Sequence, residues 1–213
     1  MVKTSRSQET LLEQDDKYVW HSMKPYNPNA TLVAAKAEGS WVTDADGKRY
    51  LDAMAGLWCV NIGYGRTELA EAAYEQLKEM AYFPLSQSHV PAIKLAEKLN
   101  KMLGDEYVIF FSNSGSEANE TAFKIVRQYH QQKGEHNRYK IVSRYRAYHG
   151  NSMGALAATG QAQRKYKYEP LAPGFIHVSP PDSYRDDTNV TDPKELSSVK
   201  EIDRTMTWEL SET

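Results

Sequence analysis

Apolar residues recur along this chain at two spacings, and the change from one spacing to the other outlines its elements. A period near 3.6 marks helices, short β-branched or aromatic runs mark strands, and Gly, Pro, Asn and Asp clusters mark the turns between them. Residues 9–22 read as a first helix, followed by a Pro/Asn loop at 25–29. Three β-rich runs come next, at 31–37, 40–43 and 48–52. The turn Asp44-Ala45-Asp46-Gly47 joins the last two as a hairpin, because glycine accepts the positive φ on which such turns end. Residues 67–82 set Leu69, Ala73, Leu77 and Met80 on one helical stripe with Thr67 as cap, and 91–103 repeat the pattern with Pro91 in the first turn. The β-forming run Val108-Ile109-Phe110-Phe111 then breaks into a helix over 117–132, whose Phe123, Ile125 and Val126 are expected in the core. Strands follow at 140–144 and 175–178, with a short helix at 154–158 between them. Asp192-Pro193-Lys194-Glu195 opens a last helix whose Leu196, Val199, Met206 and Leu210 share a side.

This order predicts two parts. Residues 1–83 form a helix and a small antiparallel segment, and residues 84–213 alternate strands with helices, the pattern of a βαβ parallel sheet. The fold class is α/β.

The junction Ser112-Asn113-Ser114-Gly115-Ser116-Glu117-Ala118-Asn119-Glu120 carries the chemistry. A strand that turns on small residues into a helix leaves the first helical N–H groups without partners. With the positive end of the helix dipole, they attract phosphate or carboxylate. Gly115 lets an anion approach the backbone, and the Ser114 and Ser116 hydroxyls add donors. The same residues fit a capping box, with Ser114 as N-cap and Glu117 reaching back, so a purely structural cap stands beside the ligand reading. A second turn after a strand, Ala147-Tyr148-His149-Gly150-Asn151, supplies an aromatic ring; two such turns suit a flat, phosphorylated ligand at a sheet edge.

Composition narrows the class without changing this picture. The 213 residues are 40% hydrophobic and 25% charged, as in an ordinary water-facing globular chain. A net charge of −2 with scattered basic residues gives no nucleic-acid footprint; only Arg164-Lys165-Tyr166-Lys167 clusters, as a solvated helix face. No run is long enough to cross a membrane and no signal-peptide core opens the chain. One cysteine, Cys59, excludes an internal disulfide and suits a reducing cytoplasm; beside Trp58 it is expected to be a packing residue. Six dispersed histidines and one cysteine give no metal-ligand spacing.

The junction, together with Tyr148-His149-Gly150, resembles the class III pyridoxal-phosphate-dependent aminotransferases. Trp20-His21-Ser22-Met23, Asp46-Gly47-Lys48-Arg49-Tyr50-Leu51-Asp52, Gly56-Leu57-Trp58, Asn61-Ile62-Gly63-Tyr64-Gly65 and Ser86-Gln87-Ser88-His89 agree in order. Gly56-Leu57-Trp58-Cys59 and Pro84-Leu85-Ser86-Gln87-Ser88-His89 look most like the ω-amino acid:pyruvate and taurine:pyruvate types; the adenosylmethionine-8-amino-7-oxononanoate aminotransferase of biotin synthesis is a near relative. The resemblance implies a fold type I architecture: a small N-terminal portion and the first part of the cofactor-binding domain. It implies pyridoxal 5′-phosphate held by Ser114, Gly115 and Ser116, with Tyr148 against its ring and His149 and Gly150 shaping that turn. Trp58, with Tyr82 and Phe83, would wall the pocket for an amine donor such as β-alanine or taurine, with a keto acid, pyruvate, as acceptor. A homodimer is implied for the full-length enzyme. The family's imine-forming lysine lies in a context that no lysine of this chain shows, so no catalytic residue is assigned. The 213 residues are expected to be an N-terminal fragment, inactive alone, or a non-catalytic remnant.

One rival reading has residues of its own. Gly150-Asn151-Ser152-Met153-Gly154 matches the nucleophile-elbow pattern of hydrolases. The order is against it, since the acid and then the histidine should follow the serine, yet the only later histidine is His177 with only Glu169 between them, and the β-run ends near Arg144.

Overall fold

The computed structural model describes residues 8–21, 27, 31–185 and 189–209. The expected loop at 25–29 lies outside them save for Asn27, as do Ser22 and Met23 of the first motif. The chain divides into two compact units, one ending at Lys94 and one beginning at Leu95.

In the first unit, α1 (Gln8–Tyr18) stops short of the predicted end. Strands β1 (Ala34–Glu38), β2 (Trp41–Asp44) and β3 (Arg49–Leu51) form an antiparallel sheet in sequence order. The β2–β3 hairpin is the predicted one, with Thr43 opposite Arg49. Gly47 sits at φ +88°, and the Asp44 carboxylate accepts the Asp46 and Lys48 amides, closing the turn. A single helical turn, α2 (Ala55–Trp58), follows; no helix was expected here. Next comes α3 (Thr67–Glu79), then α4 (Val90–Met102). Thr67 lies inside α3 rather than capping it: Arg66 holds the N-cap position and no side chain caps the helix. The predicted stripe is not buried by this unit, since Leu69 and Leu77 are both more than half exposed.

The second unit carries the parallel pairing that the alternation predicted. The apolar run at 108–111 forms no strand and has no ladder partner among the described residues, and Val108 and Phe110 are exposed. It leads into α5 (Gly115–Gln132). Strand β4 (Ile141–Arg144) pairs in parallel with β5 (Phe175–Val178), Ile141 opposite Phe175 and Arg144 opposite Val178. Between them run the short helices α6 (Met153–Ala158) and α7 (Ala162–Lys165), so the crossover is the βαβ unit expected of such a sheet. Asp192 caps a 3₁₀ turn at Pro193–Glu195 rather than a long helix, and α8 (Ser197–Trp208) starts two residues later. The buried apolar residues are few and local: Ala155, Ala157 and Ala158 of α6 with Val178 of β5. Small alanines let α6 lie close to the strands. Phe123 of α5 packs edge-on against Phe175, ring centroids 5.2 Å apart. Ile125 and Val126, expected in the core, are exposed instead, because two strands cover only the α5 stripe that holds Phe123.

Candidate functional site

The site grows from the head of α5. Ser114 is extended (φ −154°, ψ 164°), and its Oγ accepts the Glu117 amide at 3.2 Å. Glu117 Oε2 accepts the Asn113 amide at 3.0 Å. The Ser114 half of the expected capping box is present and takes the third helical amide, whereas Glu117 reaches the amide of Asn113, one residue before the N-cap, and not that of Ser114; the fourth helical amide, of Ala118, reaches the Ser114 carbonyl at 3.0 Å. The amides of Gly115 and Ser116 are left without a protein acceptor among the described residues. Gly115 is exposed, and a Cβ built on it would meet nothing within 4 Å. Cap and anion cradle thus coexist on one turn.

The second turn is latched to the first. Ser116 Oγ accepts the Asn151 amide at 3.2 Å and lies 3.3 Å from Asn151 Oδ1. The Ser116 hydroxyl therefore joins the two turns, where the sequence suggested a ligand contact. Gly150, buried at φ +136°, explains the closeness: a Cβ there would overlap Ser116 Oγ and lie 2.8 Å from Ala155 Cβ. Asn119 Nδ2 donates to the His149 carbonyl at 2.6 Å, and the His149 amide donates to Thr159 Oγ1 at 3.0 Å. The phenol of Tyr148 stays half exposed, with the Arg164 guanidinium over its ring at 5.3 Å from the centroid. Ser114, Gly115, Ser116, Tyr148, His149 and Gly150 are thus brought together in one unit.

The structure gives Ser152 no histidine partner among the described residues. Its hydroxyl donates to Glu120 Oε1 at 2.7 Å, and His177 Nε2 sits 3.1 Å from the carbonyls of both Ala158 and Thr159. Burial holds the His177 imidazole below its ordinary pKa, with the Lys165 charge adding to the effect. The Glu120 carboxyl is held below its ordinary value by the Ser152 hydroxyl, aided by the Ala155 and Gly154 amides and opposed by partial burial.

In the first unit, Trp58 is 76% exposed and stands at the end of α2, where Ala55, Gly56, Leu57 and Trp58 all take positive φ (48°, 58°, 58° and 69°). Left-handed backbone costs roughly 1–2 kcal/mol for each residue with a Cβ, so something must hold it. Asp52 does: Oδ1 accepts the Met54 amide at 3.0 Å, and Oδ2 accepts the Gly56 amide and the Tyr64 hydroxyl, each at 2.7 Å. The Tyr64 bond, with these amides, keeps the Asp52 carboxyl below its ordinary pKa. Cys59, expected to pack, is exposed, since the turn projects outward. Tyr82 and Phe83 line a hollow of about 350 Å³ with Gln76, Met80, Leu85, His89 and Pro91, and Trp58 does not border it.

Asn119, Glu120, Asn151 and Thr159 were given no role of their own in the sequence reading. The signal was present for two of them: Ser116, Asn119 and Glu120 lie at i, i+3 and i+4, on the α5 face that also carries Phe123.

The residues present fit pyridoxal 5′-phosphate: two free amides at a helix head for the phosphate and an exposed phenol on the adjoining turn for the ring. The class-III aminotransferase family matches over residues 22–210. An uncharacterized aminotransferase of Bacillus subtilis, YhxA, is 71% identical over 203 residues, which are 95% of this chain and 44% of that protein. The taurine–pyruvate aminotransferase of Bilophila wadsworthia is 46% identical over 82% of this chain and 39% of its own length. This chain therefore spans less than half the length of these relatives. Among solved structures, a Bacillus anthracis aminotransferase superposes with a TM-score of 0.92 at 67% identity, covering 98% of this chain and 47% of that one. An amine transaminase from an uncultivated Pseudomonas species, solved with its cofactor bound, gives 0.83 at 33% identity over 92% of this chain and 46% of that one. The architecture is that of fold type I transaminases. The chain belongs to the class-III aminotransferases, whose cofactor is pyridoxal 5′-phosphate.

Proposed function

We propose that this protein moves an amino group from an ω-amine donor to pyruvate, and that the described residues supply the phosphate and ring contacts for the cofactor. When bound, pyridoxal phosphate withdraws electrons from the carbon bearing the amine. The chain's own part is to bind and orient. The Gly115 and Ser116 amides hold the phosphate with the Ser114 hydroxyl beside them, and Tyr148 lies against the ring, contributing roughly 0.5–1.5 kcal/mol beyond area burial. Trp58 forms an apolar wall that limits the donor, with Tyr82 and Phe83 as further pocket residues. No lysine of this chain is assigned the imine, so turnover is proposed for the whole protein, as is its assembly as a homodimer.

One observation carries the reading: the two amides left free by the Ser114 cap lie on a turn that is hydrogen-bonded, through Ser116 and Asn151, to the turn that presents Tyr148. The donor class is supported by relatives named for taurine–pyruvate transfer and, in Pseudomonas aeruginosa, putrescine–pyruvate transfer, the latter 35% identical. Both names pair an ω-amine with pyruvate. The experiment is a titration of pyridoxal phosphate into the protein and its Ser116→Phe variant, followed by turnover assays of the whole protein with taurine, putrescine and β-alanine. The side chain introduced at 116 is expected to break the Asn151 latch and raise the dissociation constant at least tenfold, about 1.4 kcal/mol. An unchanged constant contradicts the phosphate assignment, and a preference for α-amino acids contradicts the donor class.

A further inference from the structure

One face of α5 holds the turn that carries Tyr148, and it acts at a distance from the two free amides. Ser116, Asn119, Glu120 and Phe123 share that face. Three donors converge on a single oxygen of Glu120: the Ser152 hydroxyl at 2.7 Å, the Gly154 amide at 2.7 Å and the Ala155 amide at 3.0 Å. These are the N-cap and two first-turn groups of α6, a helix whose own N-cap residue makes no capping bond. Glu120 is therefore the cap of α6, supplied from another helix. The other end of α6 is tied to the same turn. Thr159, fully buried, accepts the His149 amide, and its hydroxyl lies 2.9 Å from the Ala155 carbonyl and 3.3 Å from that of Gly150. With Asn119 on the His149 carbonyl, both backbone groups of the residue after Tyr148 are taken.

We propose that Glu120, with Asn119 and Thr159, is a positioning residue for the cofactor ring. It sets where Tyr148 stands relative to the phosphate amides and does not itself touch the ligand. The inference rests on the cradle reading above. A carboxylate suits the role because one charged acceptor satisfies three donors and complements the positive end of α6. Gly154 shows how tightly it is fitted, since a Cβ there would overlap the Glu120 carboxylate.

The test separates ring from phosphate. Pyridoxal phosphate and inorganic phosphate are titrated separately into the protein and its Glu120→Ala, Glu120→Gln and Ser152→Ala variants. The readouts are the Gly115 and Ser116 amide resonances and the visible circular dichroism of the bound cofactor. In Glu120→Ala, affinity for pyridoxal phosphate is expected to fall about tenfold and the dichroism per bound cofactor to drop, while affinity for inorganic phosphate stays within about twofold. Glu120→Gln, which keeps an acceptor oxygen, should restore most of the dichroism. Ser152→Ala, the milder change, should show the same pattern at about threefold. Unchanged cofactor affinity and dichroism in both Glu120→Ala and Ser152→Ala overturn the proposal. Parallel loss of both ligands also overturns it, because that marks a general loss of structure. A parent protein that binds no pyridoxal phosphate overturns the cradle reading itself.

Discussion

Two of the turns that carry ligand contacts proposed for this molecule are held by opposite means. At the head of α5 the backbone is relaxed: Ser114 is extended, the helix begins at once, and the free Gly115 and Ser116 amides are what any helix start leaves over. At α2 the backbone is strained, with four successive residues at positive φ, three of them bearing a Cβ. The first turn owes its chemistry to ordinary helix geometry and its precise location to Ser116, Asn119 and Glu120. The second keeps its geometry because Asp52 holds two amides and the Tyr64 hydroxyl. A relaxed turn tolerates loss of a single bond, whereas a strained one tolerates little.

Substitutions can break that contrast. The largest effect is expected at Gly150, where Gly150→Val puts a branched side chain into Ser116 and Ala155 on a backbone at φ +136°. A loss on the order of 2–4 kcal/mol is expected in denaturant unfolding, with cofactor binding abolished. Next comes Asp52→Ala, which removes the bonds to the Met54 and Gly56 amides and to the Tyr64 hydroxyl. Hydrogen exchange at Gly56 and Trp58 should then approach that of an open loop while the β2–β3 hairpin keeps its protection; retained protection at both amides means the turn does not need Asp52. Ser114→Ala, at the relaxed turn, should cost only about 1 kcal/mol, and Ser114→Gly a few tenths.

Acid sharpens the comparison in the same direction. The Asp52 carboxyl titrates below its ordinary value, so its contribution is present above that value and is lost as pH falls through the lower, folded one. Protection of the Gly56 amide, measured against its intrinsic exchange rate, should therefore fall only at pH below the usual aspartate range. A loss of that protection near neutrality would contradict the role given to Asp52. No titrating group among the described residues bonds the Gly115 or Ser116 amide, so their exchange should follow the intrinsic chemical pH dependence.

The contrast also explains what could be read from the residues alone. The head of α5 was legible because Ser114 and Glu117 obey a local spacing rule, and the β2–β3 hairpin because Gly47 sits where a turn needs positive φ. The parallel pairing of β4 with β5 was legible from alternation of strand and helix. The α2 segment was not, because nothing in Ala55-Gly56-Leu57-Trp58 announces left-handed backbone; that conformation is imposed by Asp52 and Tyr64, which lie outside it. Nor was the use of Ser116, whose hydroxyl reads equally well as a phosphate donor or a latch until Asn151 and Gly150 are seen beside it. Exposure was misjudged at Ile125 and Val126, since a periodic stripe, like that of Leu69 and Leu77, states that a face is apolar and is silent about how much of it the described elements cover.

The account turns on the phosphate cradle, and one titration tests it most directly. Addition of pyridoxal 5′-phosphate to isotopically labelled protein should shift the Gly115 and Ser116 amide resonances and the Tyr148 ring resonances along a single binding curve. Inorganic phosphate alone should shift the two amides and leave the Tyr148 ring unmoved. Amides that stay still while the cofactor binds elsewhere would contradict it.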